Sequence, residues 1–412
     1  MKVIISTGLG RLHLVQSAQH LKAAGVDTEL IQGWIPRRLP DGIVDLLGGA
    51  LGRKSLSVGM RKREAPFLHE DRNHDCGWSE FYAQGLMLLS RSNLLSQGRA
   101  AELGWKAFGK ASRKFLVDQS VFHVRSGAGR GGAIKTARER GLKVIVDHSI
   151  AHPAFMRRAL QPEFDRAEIP FSLGDNDPFW KTVLSDCVEG DLLLVNSDFV
   201  KETFVDEGFP EEKIAVAYLG VREDFFHLKR SYAVSGSINL LFTGSFDLRK
   251  GAQYLLPAAA ELIRSGLPVR LKVVGTVHQS RRILKEIDPA SFEMLGHLPQ
   301  DQLKEHLSLA DIYVFPSLAE GCASSGMEAM AAGLPVIATR ESGLPIRHGE
   351  NGVLIASKSV EAIIDAVTLL ARDRRLREQL GREAAKTISE VFTWDKYAQN
   401  VMKVYGQLFE QS

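Results

Sequence analysis

Short runs of β-branched and apolar residues alternate with segments of helical period along nearly the whole chain, and this alternation limits the fold more than any other feature. Lys2–Thr7 reads as a strand, Gly8-Leu-Gly10 as a turn, and Leu14, Val15, Ala18 and Leu21 as one face of a helix. Thr28–Ile31 resumes an extended run, completing a βαβ opening. The pattern returns with strand Val121–Val124, helix Gly132–Arg140, strand Lys143–Asp147, helices near Pro153–Leu160 and Pro178–Cys187, strand Asp191–Val195, helix Asp198–Gly208 and strand Ile214–Tyr218. A second series follows. Its strands are Ile238–Thr243, Val269–Val274, Phe292–Leu295, Ile312–Phe315, Val336–Thr339 and Val353–Ile355, and its helices include Ala252–Ser265, Asp301–Ala310, Met327–Ala332 and Val360–Ala371. Continuous apolar strands alternating with helices imply parallel sheets covered on both faces. The expected fold class is α/β, two doubly wound Rossmann-like domains facing each other across a cleft at the carboxyl ends of their strands.

The expected boundaries are 1–228 for the first domain, 229–237 for a polar linker, 238–390 for the second domain and 391–412 for a C-terminal helix that packs back on the first. At 412 residues the chain is long enough for two such cores. Residues 34–118, rich in Gly, Arg and Lys, give a weaker pattern, with helical patches at Phe81–Leu95 and Ala100–Phe115. No apolar run approaches the length of a membrane span, and the opening residues lack the apolar stretch of a signal peptide. Cys76, Cys187 and Cys322 stand far apart and form no zinc spacing, so the expectation is a cytoplasmic protein. Neither a metal nor a resident cofactor is expected. Residues 1–150 hold 23 Lys+Arg against 13 Asp+Glu, leaving 29 against 36 for the rest. That excess suits an anionic partner. Without a nucleic-acid motif, the expected partner is a membrane's inner face, met through Lys106, Lys110, Arg113 and Lys114 among Trp105, Phe108 and Phe115. A soluble domain that is merely basic is the other reading.

The segment Ala310–Thr339 holds the densest chemistry. A buried strand ends at Phe315-Pro-Ser317, a loop carries Glu320-Gly-Cys-Ala-Ser324, and a helix begins near Ser325. Free N–H groups at that helix start suit a phosphate. Glu328 has two open readings, a ligand for hydroxyls or the last residue of a Ser325-Gly-Met-Glu328 capping box. Gly8 and Gly10 make a poor dinucleotide fingerprint, since the third glycine position is His13. Arg125-Ser-Gly-Ala-Gly-Arg-Gly-Gly132 is rich in backbone donors that suit an anion, an acceptor, or only a flexible turn.

The wording of Phe315-Pro-Ser317, Glu320-Gly321, Glu328-Ala-Met-Ala-Ala-Gly333 and Leu334-Pro-Val-Ile-Ala-Thr339 resembles the donor-site signature of the retaining glycosyltransferases of family four, of the GT-B fold. The resemblance extends to Phe242-Thr-Gly-Ser-Phe-Asp-Leu-Arg-Lys-Gly251, Gly296-His-Leu-Pro-Gln-Asp-Gln-Leu303 and Glu350-Asn-Gly-Val-Leu-Ile355, and in the first domain to Leu193–Lys201 and Lys213–Val221. It implies a nucleoside-diphosphate-sugar donor bound in the second domain and a hydroxyl acceptor, glycan or lipid-linked, in the first. By this resemblance Glu320 and His148 are the catalytic candidates, the first placed near the donor sugar hydroxyls. Glu328 binds the ribose and Lys250 the pyrophosphate. Gly8, Gly10, Ser324 and Ser325 supply donors near the phosphate or acceptor. Ser245 stands where the family places Arg, and Arg249 is either its substitute or a solvated turn residue. Other readings remain: a nucleotide-sugar epimerase or small-glycoside synthase of the same fold, a silent sugar-nucleotide-binding protein, or a Rossmann oxidoreductase.

Overall fold

The computed structural model describes residues 1–10, 13–35, 65–117, 121–171, 173, 177–234, 236–277 and 292–410. Residues 36–64 and 118 of the stretch 34–118 lie outside them. In the first domain, β1 (Lys2–Ser6), α1 (Leu14–Ala23), β2 (Asp27–Gln32) and β3 (Asn73–Asp75) are followed by the helices α2 (Gly77–Arg91) and α3 (Gln97–Ser112). Then come β4 (Val121–Arg125), α4 (Ala133–Glu139), β5 (Lys143–His148), α5 (Pro153–Arg166), α6 (Pro178–Glu189), β6 (Leu192–Val195), α7 (Asp198–Val205) and β7 (Ile214–Val216). The second domain comprises β8 (Ile238–Thr243), α8 (Ala252–Arg264), β9 (Val269–Val274), β10 (Phe292–Gly296), α9 (Gln300–Leu309), β11 (Ile312–Phe315), α10 (Ser324–Ala332), β12 (Val336–Thr339), β13 (Val353–Ile355), α11 (Val360–Arg372) and α12 (Arg374–Val391). The last helix is α13 (Trp394–Glu410).

Among the described residues, two sheets form, both parallel throughout. Their orders are β3-β2-β1-β4-β5-β6-β7 and β10-β9-β8-β11-β12-β13. The winding reverses between β1 and β4 in one and between β8 and β11 in the other. At such a point neighbouring loops leave in opposite directions and open a crevice. The glycine turn after β1 and the Glu320 loop after β11 stand at these two places.

The chain crosses between domains twice, side by side. The Val221 N–H donates to the Phe392 carbonyl at 2.9 Å, and a Cβ on Gly220 would lie 2.3 Å from the Trp394 nitrogen. Within the segment read as a linker, Lys229 N–H bonds the Ala332 carbonyl at 2.8 Å and Tyr232 OH bonds the Gly333 carbonyl at 2.7 Å, so it lies against the second domain. Past the second crossing α13 covers α1. Ser17 Oγ donates to Tyr397 OH at 2.8 Å, and Tyr405 OH meets His123 Nδ1 at 2.7 Å.

The domains also meet directly. Met156, Leu160, Phe164 and Phe199 of the first pack with Leu248, Leu318 and Ala319 of the second. Glu163, buried on α5, accepts from Tyr254 OH at 2.8 Å and Gln253 Nε2 at 3.1 Å. The helix read as a basic aromatic face turns its rings inward. Phe108 is fully buried, Phe115 stacks on His74 at 4.4 Å, and Trp105 sits 5.9 Å from Phe179. The apolar side of an amphipathic helix packs on its own sheet when that sheet needs covering.

Candidate active site

The carboxyl end of β8 and that of β11 are tied together before any ligand is considered. Tyr313 OH, fully buried, meets Thr243 Oγ1 at 2.9 Å and Ser325 Oγ at 3.0 Å. Ser325 Oγ also bonds the Thr243 carbonyl at 3.1 Å. This corrects the capping-box reading. The helix starts at Ser324 after Ala323, no side chain caps it, and the Ser325 hydroxyl is spent on β8. Glu328 is therefore not a cap, and it faces a cleft.

The turn after β8 is pinned to the Glu320 loop. The Leu318 N–H and Ser317 Oγ both donate to the Arg249 carbonyl, at 2.8 and 3.1 Å, and Arg249 Nη1 donates to the Ala319 carbonyl at 2.9 Å. Gly251, at φ +79°, leaves no room for a Cβ, which would lie 2.1 Å from the Pro316 oxygen. Arg249 pairs with the Glu320 carboxylate, and Lys250 Nζ lies 3.7 Å from the same oxygen, Oε1. Arg249 is thus no solvated turn residue. Two cations and one carboxylate converge at the second domain's crevice.

The loop also carries the domain contact. Ala151 N–H donates to the Glu320 carbonyl at 3.2 Å, and Ser197 Oγ donates to the Gly321 carbonyl. A Cβ on Gly321 would sit 2.0 Å from the Ser149 oxygen and 2.8 Å from Asn196 Nδ2. Gly321→Ala should force the domains apart at this point. The expected result is a loss of about 1–3 kcal/mol in stability, the usual cost of overpacking, read as a lower melting temperature.

Between the domains is a cleft of about 350 Å³. His13, Gln16, Ser149 and Asn196 line it from the first domain, Leu219 to Arg222 and Trp394 from the crossings, and Cys322, Ser324, Met327 and Glu328 from the second. Burial pushes the Glu328 carboxyl up to about 7, with Arg222 opposing and Asp224 adding to the rise. The folded chain then holds this proton to about pH 7, whereas the unfolded chain releases it near 4.5. Stability from this residue accordingly falls as pH rises through that window. Glu328→Gln should remove this dependence, giving a flatter curve of melting temperature between those values.

His148 is buried rather than on the cleft wall. Its Nδ1 meets Ser126 Oγ at 2.9 Å, its ring lies edge-on to Phe204, and burial, partly opposed by Asp147, pushes its pKa down to about 4. It is neutral at pH 7. The next residue, Ser149, lines the cleft. His148 Nε2 and Asn196 Oδ1 are both buried without a hydrogen-bond partner among the described residues.

His13, which breaks the glycine fingerprint, is the histidine on the cleft wall. Its Nε2 lies 3.1 Å from the Asp147 carboxylate. Burial disfavours charge on Asp147, but His13 and His123 outweigh it and hold the carboxyl far below the usual range. Nothing in the βα pattern signals this pair, because 134 residues separate its members. Gly8 and Gly10 serve packing: a Cβ on Gly8 would lie 2.3 Å from the Trp105 ring, and Arg125 bonds the Gly10 carbonyl at 3.2 Å. The donors of the glycine loop after β4 are already taken by a carboxyl group, one whose pKa burial pushes up to about 7. Asp186 accepts from the Gly127 and Gly129 N–H groups at 2.7 and 2.8 Å.

No group among the described residues could hold a metal ion. An Asp-x-Asp triplet occurs at Asp175–Asp177. Asp177 caps α6 through Phe179 and Trp180, and Asp175 lies outside the described residues.

Residues 226–387 match the family model of glycosyl transferases group 1. The amylovoran biosynthesis glycosyltransferase AmsK of Erwinia amylovora is 29% identical over 187 residues, which are 42% of this chain and 46% of that protein. The chain spans about half the length of the curated relatives it matches. Among solved structures, sucrose-phosphate synthase from Thermosynechococcus elongatus aligns over 100% of both chains with a TM-score of 0.70 at 17% identity. The Anabaena protein HepE, in complex with UDP and glucose, aligns over 99% of this chain and 100% of its own, with a TM-score of 0.64 at 13% identity. At such identities the likeness is one of fold, and the fold is GT-B.

Proposed function

We propose that this chain, a GT-B protein whose residues 226–387 belong to glycosyl transferases group 1, moves a sugar from a nucleoside-diphosphate donor to a hydroxyl acceptor with retention of anomeric configuration. The acceptor is a glycan or a lipid-linked sugar, in the synthesis of a surface polysaccharide or glycolipid. Similarity to a protein of amylovoran biosynthesis supports that class. Similarity of fold to a protein bound to UDP and glucose supports the donor class.

The observation that carries the reading is the convergence of Arg249 and Lys250 on Glu320 beside the start of α10. A departing diphosphate develops negative charge, and fixed cations with a helix N-terminus stabilise it in place. In this reading the diphosphate replaces Glu320 as partner of the two cations. The released carboxylate then faces the donor sugar, where it accepts hydrogen bonds from hydroxyls and opposes positive charge at the ring carbon. Glu328 accepts from the ribose hydroxyls, which it does best when ionised. Nucleoside affinity should therefore rise between about pH 6 and pH 8, and Glu328→Gln should flatten that profile. His13 and Asn196, which line the cleft, hold the sugar from the other side.

Thermal-shift screening against nucleoside diphosphates and their sugars tests the proposal. A donor at about a hundred times its dissociation constant adds roughly 2.7 kcal/mol. Stabilisation by sugar nucleotides supports the reading, and stabilisation by nicotinamide dinucleotides alone would replace it with an oxidoreductase.

A further inference from the structure

The helix α2 is amphipathic with its polarity reversed. Its buried positions are mostly small or polar: Gly77, Ser79, Glu80, Ala83 and Leu86. Glu80 accepts the Trp34 N–H at 2.8 Å. Ala83 meets α3 so closely that a Cβ on Gly104 would lie 2.7 Å from its methyl. At a helical period, Trp78, Phe81, Tyr82, Leu88 and Leu89 fall in one sector of about 120°. All five are exposed, at 88, 51, 50, 62 and 45%, as are Gln84, Gly85 and Arg91 of the same helix. Leu94, just past the helix, is 75% exposed. Among the described residues, Trp34 touches the edge of this stripe at Phe81, and no element packs over it. A stripe of this kind on a globular surface marks an interaction site.

On the two helices of this hairpin the exposed charges have one sign, although Asp75 and Asp177 adjoin their starts. Between Gly77 and Val117 the basic residues are Arg91, Arg99, Lys106, Lys110, Arg113 and Lys114, and the acids are Glu80 and Glu102. Both acids are buried, and Glu102 is held between Arg99 and Lys106. The α2–α3 hairpin therefore presents cations and aromatic rings with no exposed acid. We infer that this face docks on an anionic lipid surface, with the α2 stripe at the boundary of headgroups and acyl chains and the lysines and arginines over the headgroups. Trp, Phe and Leu bordered by Lys and Arg are the composition of an interfacial helix. A second copy of the chain would set like charge against like charge across a two-fold contact. The docking role belongs to α2 and not to the aromatics of α3, which are turned inward. It is independent of the sugar chemistry, so its failure leaves that reading intact.

Flotation of the full chain with phosphatidylcholine vesicles, with and without phosphatidylglycerol, tests this. The wild type is expected to float with the anionic vesicles and to be released by high salt. Trp78→Ser/Phe81→Ser/Leu88→Ser should partition at least about tenfold less, with an unchanged melting temperature and unchanged donor binding. Should that variant not fold, Leu88→Glu alone at an exposed position gives the same comparison. Failure of the wild type to float, or equal flotation of a folded variant, overturns the proposal. So does a wild-type dimer that the substitutions turn into monomer.

Discussion

Glu320→Gln is expected to slow sugar transfer by about a hundred- to thousandfold while its affinity for a nucleoside diphosphate holds or rises. Gln is nearly isosteric with Glu. The backbone contacts of this residue, from its N–H to the Glu341 carbonyl and from Ala151 to its own carbonyl, survive the change. The loop therefore keeps its place. What is lost is the anion that pairs with Arg249 and Lys250. A diphosphate no longer competes with a carboxylate for the two cations, so ground-state binding does not suffer. The transition state does, because an interaction that strengthens only there affects turnover more than affinity. Transfer rates and calorimetric affinities for the pure variant separate the two effects. Near-normal turnover would remove Glu320 from the catalytic assignment, and a large fall in diphosphate affinity would show that it supports the phosphate site instead.

Lys250→Ala should weaken nucleoside diphosphate binding by roughly ten- to 150-fold, the equivalent of a charged hydrogen bond worth about 1.5–3 kcal/mol, and leave nucleoside binding nearly unchanged. The lysine is held for an incoming anion. Its backbone N–H bonds Asp247 Oδ1 at 2.9 Å, and Nζ lies 5.2 Å above the Phe315 ring. Gly244, at φ +123°, leaves room for the ammonium, since a Cβ there would lie 2.7 Å from Nζ. Arg249→Ala should behave differently. Arg249 also bonds the Ala319 carbonyl, so its removal loosens the Glu320 loop and lowers melting temperature as well as affinity. Equal losses for nucleoside and nucleoside diphosphate in Lys250→Ala would place the lysine outside the phosphate site.

Most strands could be read from their apolar runs, the largely unburied edge strand Phe292–Gly296 among them. Ile238–Thr243, Val269–Val274, Ile312–Phe315, Val336–Thr339 and Val353–Ile355 occur with the bounds their apolar runs imply. The edge strand β3 is Asn-His-Asp, with no apolar signal, and is aligned by the long-range Gln32–Asn73 bond. The helix α12 went unread because its mean composition is polar and its buried Leu380, Ala384, Ala385 and Ile388 form a narrow stripe.

In the site, the family wording led to Glu320 and Lys250, on the turns that follow β11 and β8, and to Glu328 within α10. Pairings across the fold were invisible: His13 with Asp147, Asp186 in the glycine loop, and Ser325 with Thr243. Each joins segments that only the folded sheets bring together. The Ser325-Gly-Met-Glu328 spacing fits a cap equally well until β8 is seen to claim the serine. The aromatics of α3 and α2 posed a similar problem. Composition identified an aromatic, basic region, but only packing against the sheet decided which helix exposed its rings.

The most direct measurement is the anomeric configuration of the sugar first released when the wild-type chain consumes its donor. Proton NMR during turnover of nucleoside-diphosphate sugars, with water or a hydroxyl compound as acceptor, resolves the first-formed anomer before mutarotation. The account predicts release of the nucleoside diphosphate together with a sugar that keeps the donor's anomeric configuration, slowed in Glu320→Gln. An inverted first product, or a donor that binds at the Arg249–Lys250 site and is never cleaved, would contradict it.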